Sequence, residues 1–360
     1  MASELNYSSF ERLLHRVAFA SPSVQLAAAD VESSLFGASY KDVRAERPIF
    51  ITSLPRAGTT LILEALHRFP SLASHIYRDM PFVMAPVFWS RLSGSFHKPS
   101  QLKERAHGDG MEVGYDSPEA FEEIIWRTFW PEKYSKTGIA LWQVGDHKAT
   151  ARAFFMEHMK KVVALRRPER ARDGRYVSKN NANVARLELI HRMFPGATIL
   201  LPVRRPLEHA RSLLSQHRRF LEMHHESPFV RRYMGDIGHY EFGALHRPIA
   251  FPQTPARTAG LDPLTLDYWL GYWIAAFEYV LSHRDKLVVA SYEAACTDPR
   301  RALADICNRL DIPEDGAMSA AVALFRPEPS TRKGRVDVNQ ELLARAEFLW
   351  EALCGNESPA

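Results

Sequence analysis

Cysteine is nearly absent: 3 residues in 360, Cys296, Cys307 and Cys354, with no C-x-x-C pair among them. An odd, scattered set argues against a disulfide framework or a structural zinc knuckle and makes a reducing compartment the expectation. Long apolar runs are also missing. No stretch reaches the roughly 18 consecutive apolar residues of a membrane span. The segment Met1 to Phe19 is broken by Glu4, Glu11, Arg12, His15 and Arg16, so it lacks the apolar centre of a signal peptide. These absences predict a cytoplasmic protein. A strong charge of either sign is lacking too: 46 Lys and Arg against 42 Asp and Glu leave +4. That balance suits an anionic ligand and does not by itself argue for nucleic acid. There are no internal repeats or low-complexity tracts. His225 and Glu226 lack His-Glu-x-x-His spacing and a second ligand cluster, so no metal site is expected.

What is present is ordinary globular material, 46% hydrophobic and 24% charged, enough to bury a core. The chain is organised around Arg47 to Leu63. Pro48 to Ile51 is an apolar run short enough for a buried strand. Pro55 and Gly58 punctuate a tight loop. From Thr59 the apolar positions Leu61, Ile62, Ala65 and Leu66 recur at helical spacing. A strand, loop and helix in this order aim backbone N–H groups and a helix N-terminus at one point, which is a site for a phosphate or another anion. The common nucleotide version is G-x-x-x-x-G-K-S/T. Here Ser53 stands at the first glycine, Thr59 follows Gly58, and the cation is Arg56. The cradle is kept and the ATP-type lysine is not.

Residues 1–45 read as short helices without a motif. A second strand is expected to end near Tyr77, which puts Asp79 just past its carboxyl edge, where ligands bind in doubly wound sheets. Capping of a following helix near Pro81 is the competing role for Asp79. Residues 84–145 are rich in aromatics, suited to an acceptor pocket or to core packing. His107, in a Gly-containing turn, is a second candidate base. A strand from Arg175 ends at Lys179. The apolar run Thr198 to Val203 ends at Arg204, and Ser212 lies two turns into the next helix. Residues 220–263 break the pattern and read as an irregular lid or insertion. A helix follows from Pro263 to His283, and then a strand over Lys286 to Glu293. Asp298 caps the helix after it, and Arg332-Lys333-Gly334 precede a last helix from Asn339 to Leu353. Strands alternating with helices predict an α/β fold with a mainly parallel sheet flanked by helices, three layers of the P-loop-like kind.

Four elements are then in order: the loop at 55–60, Lys179, Arg204 with Ser212, and Arg332-Lys333-Gly334. Together they resemble the sulfotransferases that use 3′-phosphoadenosine 5′-phosphosulfate (PAPS), over roughly residues 46–353. The branch with Pro-Arg-x-Gly-Thr-Thr loops, which includes bacterial small-molecule and protein-tyrosine sulfotransferases, is the most similar. The resemblance implies a sulfotransferase domain over 46–355 that moves a sulfuryl group from PAPS to an acceptor hydroxyl. It implies that Pro55, Arg56, Ala57, Gly58, Thr59 and Thr60 hold the 5′-phosphosulfate. Arg204 and Ser212 would bind the 3′-phosphate, Arg332, Lys333 and Gly334 would close over it, and Tyr292 would lie beside the nucleotide. Arg56 would stabilise the leaving oxygen and Lys179 would meet the sulfuryl group. Asp79 or His107 would take the acceptor proton, with Asp79 one or two residues later than the family spacing. Leu61 stands where many cytosolic members carry Trp, and Arg56 where many carry Lys.

Two other readings stay open. One is a P-loop-type kinase, disfavoured by the missing lysine. The other is a module that binds adenosine 3′,5′-bisphosphate (PAP) without catalysis. The acceptor, a small molecule or a peptide, and the oligomeric state are not specified by any motif.

Overall fold

The computed structural model describes residues 9–93, 103–104, 112–314, 316–326 and 337–355. Seven strands are present among them: β1 (Ile49–Ile51), β2 (Leu72–Ala73), β3 (Lys103–Glu104), β4 (Glu112–Val113), β5 (Arg175–Lys179), β6 (Thr198–Val203) and β7 (Leu287–Ser291). Five of them form one sheet in the order β2-β5-β1-β6-β7, and every neighbour pair is parallel. The short β3–β4 pair is antiparallel and separate.

The sheet divides the core along the pleat. Phe50 packs with Tyr176, Ile199 and Leu201 on one face. Ile49 and Ile51 pack with Val177 and Leu200 on the other. Alternation at period two is what a strand imposes, and because both faces are covered, all of these residues are apolar. The smaller face is covered by the helices Thr59–His67 and Pro299–Arg309. The larger face carries Ala149–Arg166, Leu187–Met193, Pro206–Glu226 and Leu266–Leu281. The architecture is therefore the expected three-layer α/β fold with a mainly parallel sheet.

Several boundaries have clear local causes. Pro206 stands in the first turn of its helix, where a missing N–H is harmless. Asp298 accepts from the N–H of Arg301, and Asn339 accepts from Glu341 and Leu342, so both cap as side-chain chemistry dictates. Three elements differ from the sequence reading. β2 stops at Ala73, and Tyr77–Asp79 is a single 3-10 turn. Tyr292 and Glu293 start a short helix, because the Ser291 hydroxyl caps Ala294. The helix from Pro206 runs on to Glu226, and Pro228–Ile237 is a further helix whose Tyr233 and Met234 join the core.

Several of the aromatics of 84–145 serve packing. Trp126, Trp130 and Trp142 are buried, and the Arg186 guanidinium lies 4.5 Å from the Trp126 ring and 4.2 Å from the Trp142 ring. Among the described residues, no helix is long and apolar enough to cross a membrane.

Candidate active site

Parallel pairing brings the carboxyl ends of β1, β5, β6 and β7 to one edge. Ile51 is opposite both Lys179 and Leu200, and Val203 is opposite Ser291. Everything that follows those positions, the loop after β1 included, therefore faces the same crevice.

The loop is shaped by two residues with left-handed backbone. Arg56 has φ 73° and Gly58 has φ 88°. For glycine this costs nothing, and a Cβ at Gly58 would meet the Tyr292 ring at 2.5 Å. For arginine it costs on the order of 1–3 kcal/mol, of the kind that collects at ligand sites. The helix Thr59–His67 starts directly after Gly58. Its first turn points N–H groups back into the loop. The Ser53 hydroxyl, fully buried at the loop's start, has no hydrogen-bond partner among the described residues. A tight cradle and an orphaned buried hydroxyl are what an oxyanion ligand would use.

The second wall comes from β6 and β7. Arg56 Nε donates to Ser212 Oγ at 3.2 Å, and Arg204 Nη1 donates to the Arg56 carbonyl at 3.3 Å. The Arg204 guanidinium lies 4.7 Å from the Tyr292 ring centre. Loop, Arg204, Ser212 and Tyr292 are thus brought together. His209 supports the loop from behind: its Nε2–H donates to the Pro55 carbonyl at 2.8 Å, and its Nδ1 accepts from Trp273 Nε1 at 3.1 Å. Burial, with Arg204 and Arg56 nearby, pushes this imidazole down to about 3 despite the Pro55 bond. It is neutral, as the two bonds require.

Beside the loop is a cavity lined by Leu54, Pro55, Lys179, His239, Tyr240 and Glu241, together with Trp269 and Tyr272. Lys179 is nearly buried and influences Glu119 and Glu241. Burial alone would raise both carboxyls. Lys179 and His239 outweigh it at Glu119, which also accepts from the Tyr77 hydroxyl, so its pKa is lowered. At Glu241, His239, Lys179 and Asn181 bring the value down to about 2. Glu241 Oε2 lies 3.5 Å from His239 Nδ1. Burial works to lower His239, but the Glu241 carboxylate wins and raises it. A cation between acids, next to an imidazole–carboxylate pair, can hold a sulfuryl oxygen and move a proton.

Asp79 is engaged in a separate buried cluster. It is 2% exposed, pairs with Arg166, accepts from His75 Nδ1 at 2.8 Å and caps its own turn through the Ile76 N–H at 3.1 Å. His75 Nε2 in turn lies 2.7 Å from His158 Nε2. Burial opposes ionisation of Asp79, and Arg166 with His75 outweighs it, to about 2. Asp79 does not line the cavity. His107, Arg332, Lys333 and Gly334 lie outside the described residues. Asn181, His239 and Glu241 carry no motif in the sequence. A His-x-Glu spacing just after a glycine at 238 is the only local signal for the pair.

A profile described as "Sulfotransferase family" matches residues 48–253. No curated protein matches the chain in sequence. Among solved structures, the chain is similar to the sulfotransferase STF9 of Mycobacterium avium, with a TM-score of 0.51 and 14% identity over 99% of this chain and 86% of that one. It is also similar to the sulfotransferase STF1 of Mycobacterium tuberculosis, with a TM-score of 0.50 and 13% identity over 98% and 88%. At this identity the two structures speak for the fold.

Proposed function

Because the chain belongs to the sulfotransferase family, we propose that its donor is PAPS, bound along the edge formed by the loop, Arg204 and Ser212, and that transfer is in line. The contact between Arg56 and Ser212 at 3.2 Å carries the reading. It joins the group suited to a 5′-phosphosulfate to the group suited to a 3′-phosphate, and that second phosphate is what separates PAPS from ATP. No metal is invoked, since Arg56, Lys179 and Arg204 supply the positive charge.

In the reaction a bond forms between sulfur and the acceptor oxygen while the bond from sulfur to the 5′-phosphate oxygen breaks, and PAP leaves with that electron pair. Catalysis is positioning and charge stabilisation. Residues 55–60 hold the 5′ end through backbone N–H groups and the Thr59 and Thr60 hydroxyls. Arg56 meets the leaving oxygen as a fixed charge, since a guanidinium does not give up its proton. Lys179 meets the sulfuryl oxygens. Arg204 and Ser212 take the 3′-phosphate, and Tyr292 lies beside the nucleotide.

For the acceptor proton we favour His239, supported by Glu241, over Asp79. The pair lines the cavity beside Lys179, whereas Asp79 is committed to Arg166 and His75. Residues 220–263, through His239, Tyr240 and Glu241, would be the acceptor lid on a catalytic domain of 46–355, with 1–45 as a helical preamble. The test is conversion of PAPS to PAP in the presence of a panel of phenols and aliphatic alcohols. Acceptor-dependent PAP release, lost in Arg56→Ala, supports the reading. Release that needs no Arg56 contradicts it.

A further inference from the structure

Asn181, two residues beyond the end of β5, touches both halves of the site. Its Oδ1 accepts from Thr59 Oγ1 at 3.2 Å, on the donor loop. Its Nδ2 donates to Glu241 Oε1 at 3.1 Å, in the acceptor cavity. Its backbone carbonyl accepts from Thr52 Oγ1 at 3.2 Å, where the chain leaves β1. The residue is 7% exposed and lines the cavity.

Chemistry fixes the orientation of that amide. Glu241 is held ionised, at about 2, by His239, Lys179 and Asn181 acting against its burial. A carboxylate only accepts, so Nδ2 must face it. Oδ1 is then left for Thr59, and the Thr59 hydroxyl must be the donor. A hydroxyl has one proton. It can be given to Asn181 or to an anion in the loop, and not to both at once. Glu241 is divided in the same way, with Oε1 on Asn181 and Oε2 toward His239.

We infer that Asn181 is a positioning residue that couples the donor loop to the acceptor-side carboxylate. The arrival of an anion at Thr59 is felt at Glu241 and His239, and a change at Glu241 is felt at the loop. Such coupling is reciprocal by linkage. The inference rests on the proposal above that the loop takes the donor and the cavity takes the acceptor. It adds a residue that touches neither reacting group and yet sets their relation.

The experiment is a double-mutant cycle on PAP affinity, with a second readout at His239. PAP is titrated calorimetrically into the wild type, Asn181→Ala, Glu241→Gln and the double variant. The ring of His239 is followed through a pH titration by NMR in the wild type and in the isosteric Asn181→Asp. Coupling predicts that Glu241→Gln changes PAP affinity by about threefold or more when Asn181 is present and leaves it nearly unchanged in the Asn181→Ala background. It also predicts that Asn181→Asp, which sets a second carboxylate against Glu241, raises the His239 midpoint by about half a pH unit or more. Independent, multiplicative effects in the cycle, or a His239 midpoint that ignores Asn181→Asp, would overturn the inference. A wild type that binds no PAP would instead sink the donor assignment, and with it the donor half of the coupling. The His239 arm reads the Asn181–Glu241 half either way, and a folded isosteric variant keeps that arm valid if the alanine variant does not fold.

Discussion

Arg56 Nε donates to Ser212 Oγ across 3.2 Å, although the two residues are 156 positions apart in the chain. One sits on the loop after β1, the other two turns into the helix after β6. Parallel strands with their carboxyl ends on one edge are what make the contact possible. The proposed donor site is thus a product of topology as much as of motif.

Removing the cations of this edge is expected to separate binding from turnover. Arg204→Ala should weaken PAP by about 10- to 100-fold, the worth of a charge-assisted contact to a phosphate. Arg56→Ala should lower PAPS turnover by more than it lowers PAP affinity, since its charge matters most as the leaving oxygen becomes negative. Steady-state kinetics set beside calorimetry reads both.

Gly58→Ala should abolish PAP binding. The residue has φ 88°, and the added methyl would press on the Tyr292 ring. Calorimetry on the variant, with circular dichroism to show that it is folded, checks this.

Acceptor activation should depend on pH through His239. Glu241 raises its pKa above the usual imidazole value, outweighing burial. In the proposed role the neutral ring is the base, so turnover should fall in an acid limb as pH drops through that raised value. Glu241→Gln should move the limb to lower pH, because the raising charge is gone. A pH–rate profile of the two proteins tests the direction.

Buried histidines should make the fold acid-labile. His209 is held neutral at about 3 by burial, against 6.5 for the exposed ring. The unfolded chain binds a proton below 6.5 that the folded chain refuses, so stability falls as pH drops from there toward 3. At pH 5 this one group costs about 2 kcal/mol. His67, His217 and His246, each lowered to about 4 chiefly by burial, add to the same slope. Urea unfolding at pH 7.5 and at pH 5.5 should show the loss.

Arg186→Met should destabilise the fold by about 3–5 kcal/mol, because it leaves the buried Glu123 without its ion pair. The pair is at 2.8 Å and the guanidinium is fully buried between two tryptophans. Chemical denaturation measures it directly.

Much of this could be read in the sequence where a single stretch carries the whole signal. The apolar run 48–51 with Pro55 and Gly58 after it specifies strand, loop and helix locally. The place of Arg204 was legible because a continuous apolar strand ends just before it, and that of Lys179 because the strand from Arg175 ends in polar residues. The pairing of Asp79 was not, because its partner Arg166 is 87 residues away in the chain. His239 and Glu241 were hidden for a related reason. They follow a helix that ends at Ile237, in a segment with no period, and only the folded chain sets them beside Lys179.

The most direct measurement is calorimetric titration of the purified protein with PAP, with ADP and ATP as controls. The account predicts binding near the micromolar range for PAP, weaker binding of ADP, and loss of the PAP signal in Arg204→Ala. Binding of ATP as tight as that of PAP, or PAP binding indifferent to Arg204, would contradict it.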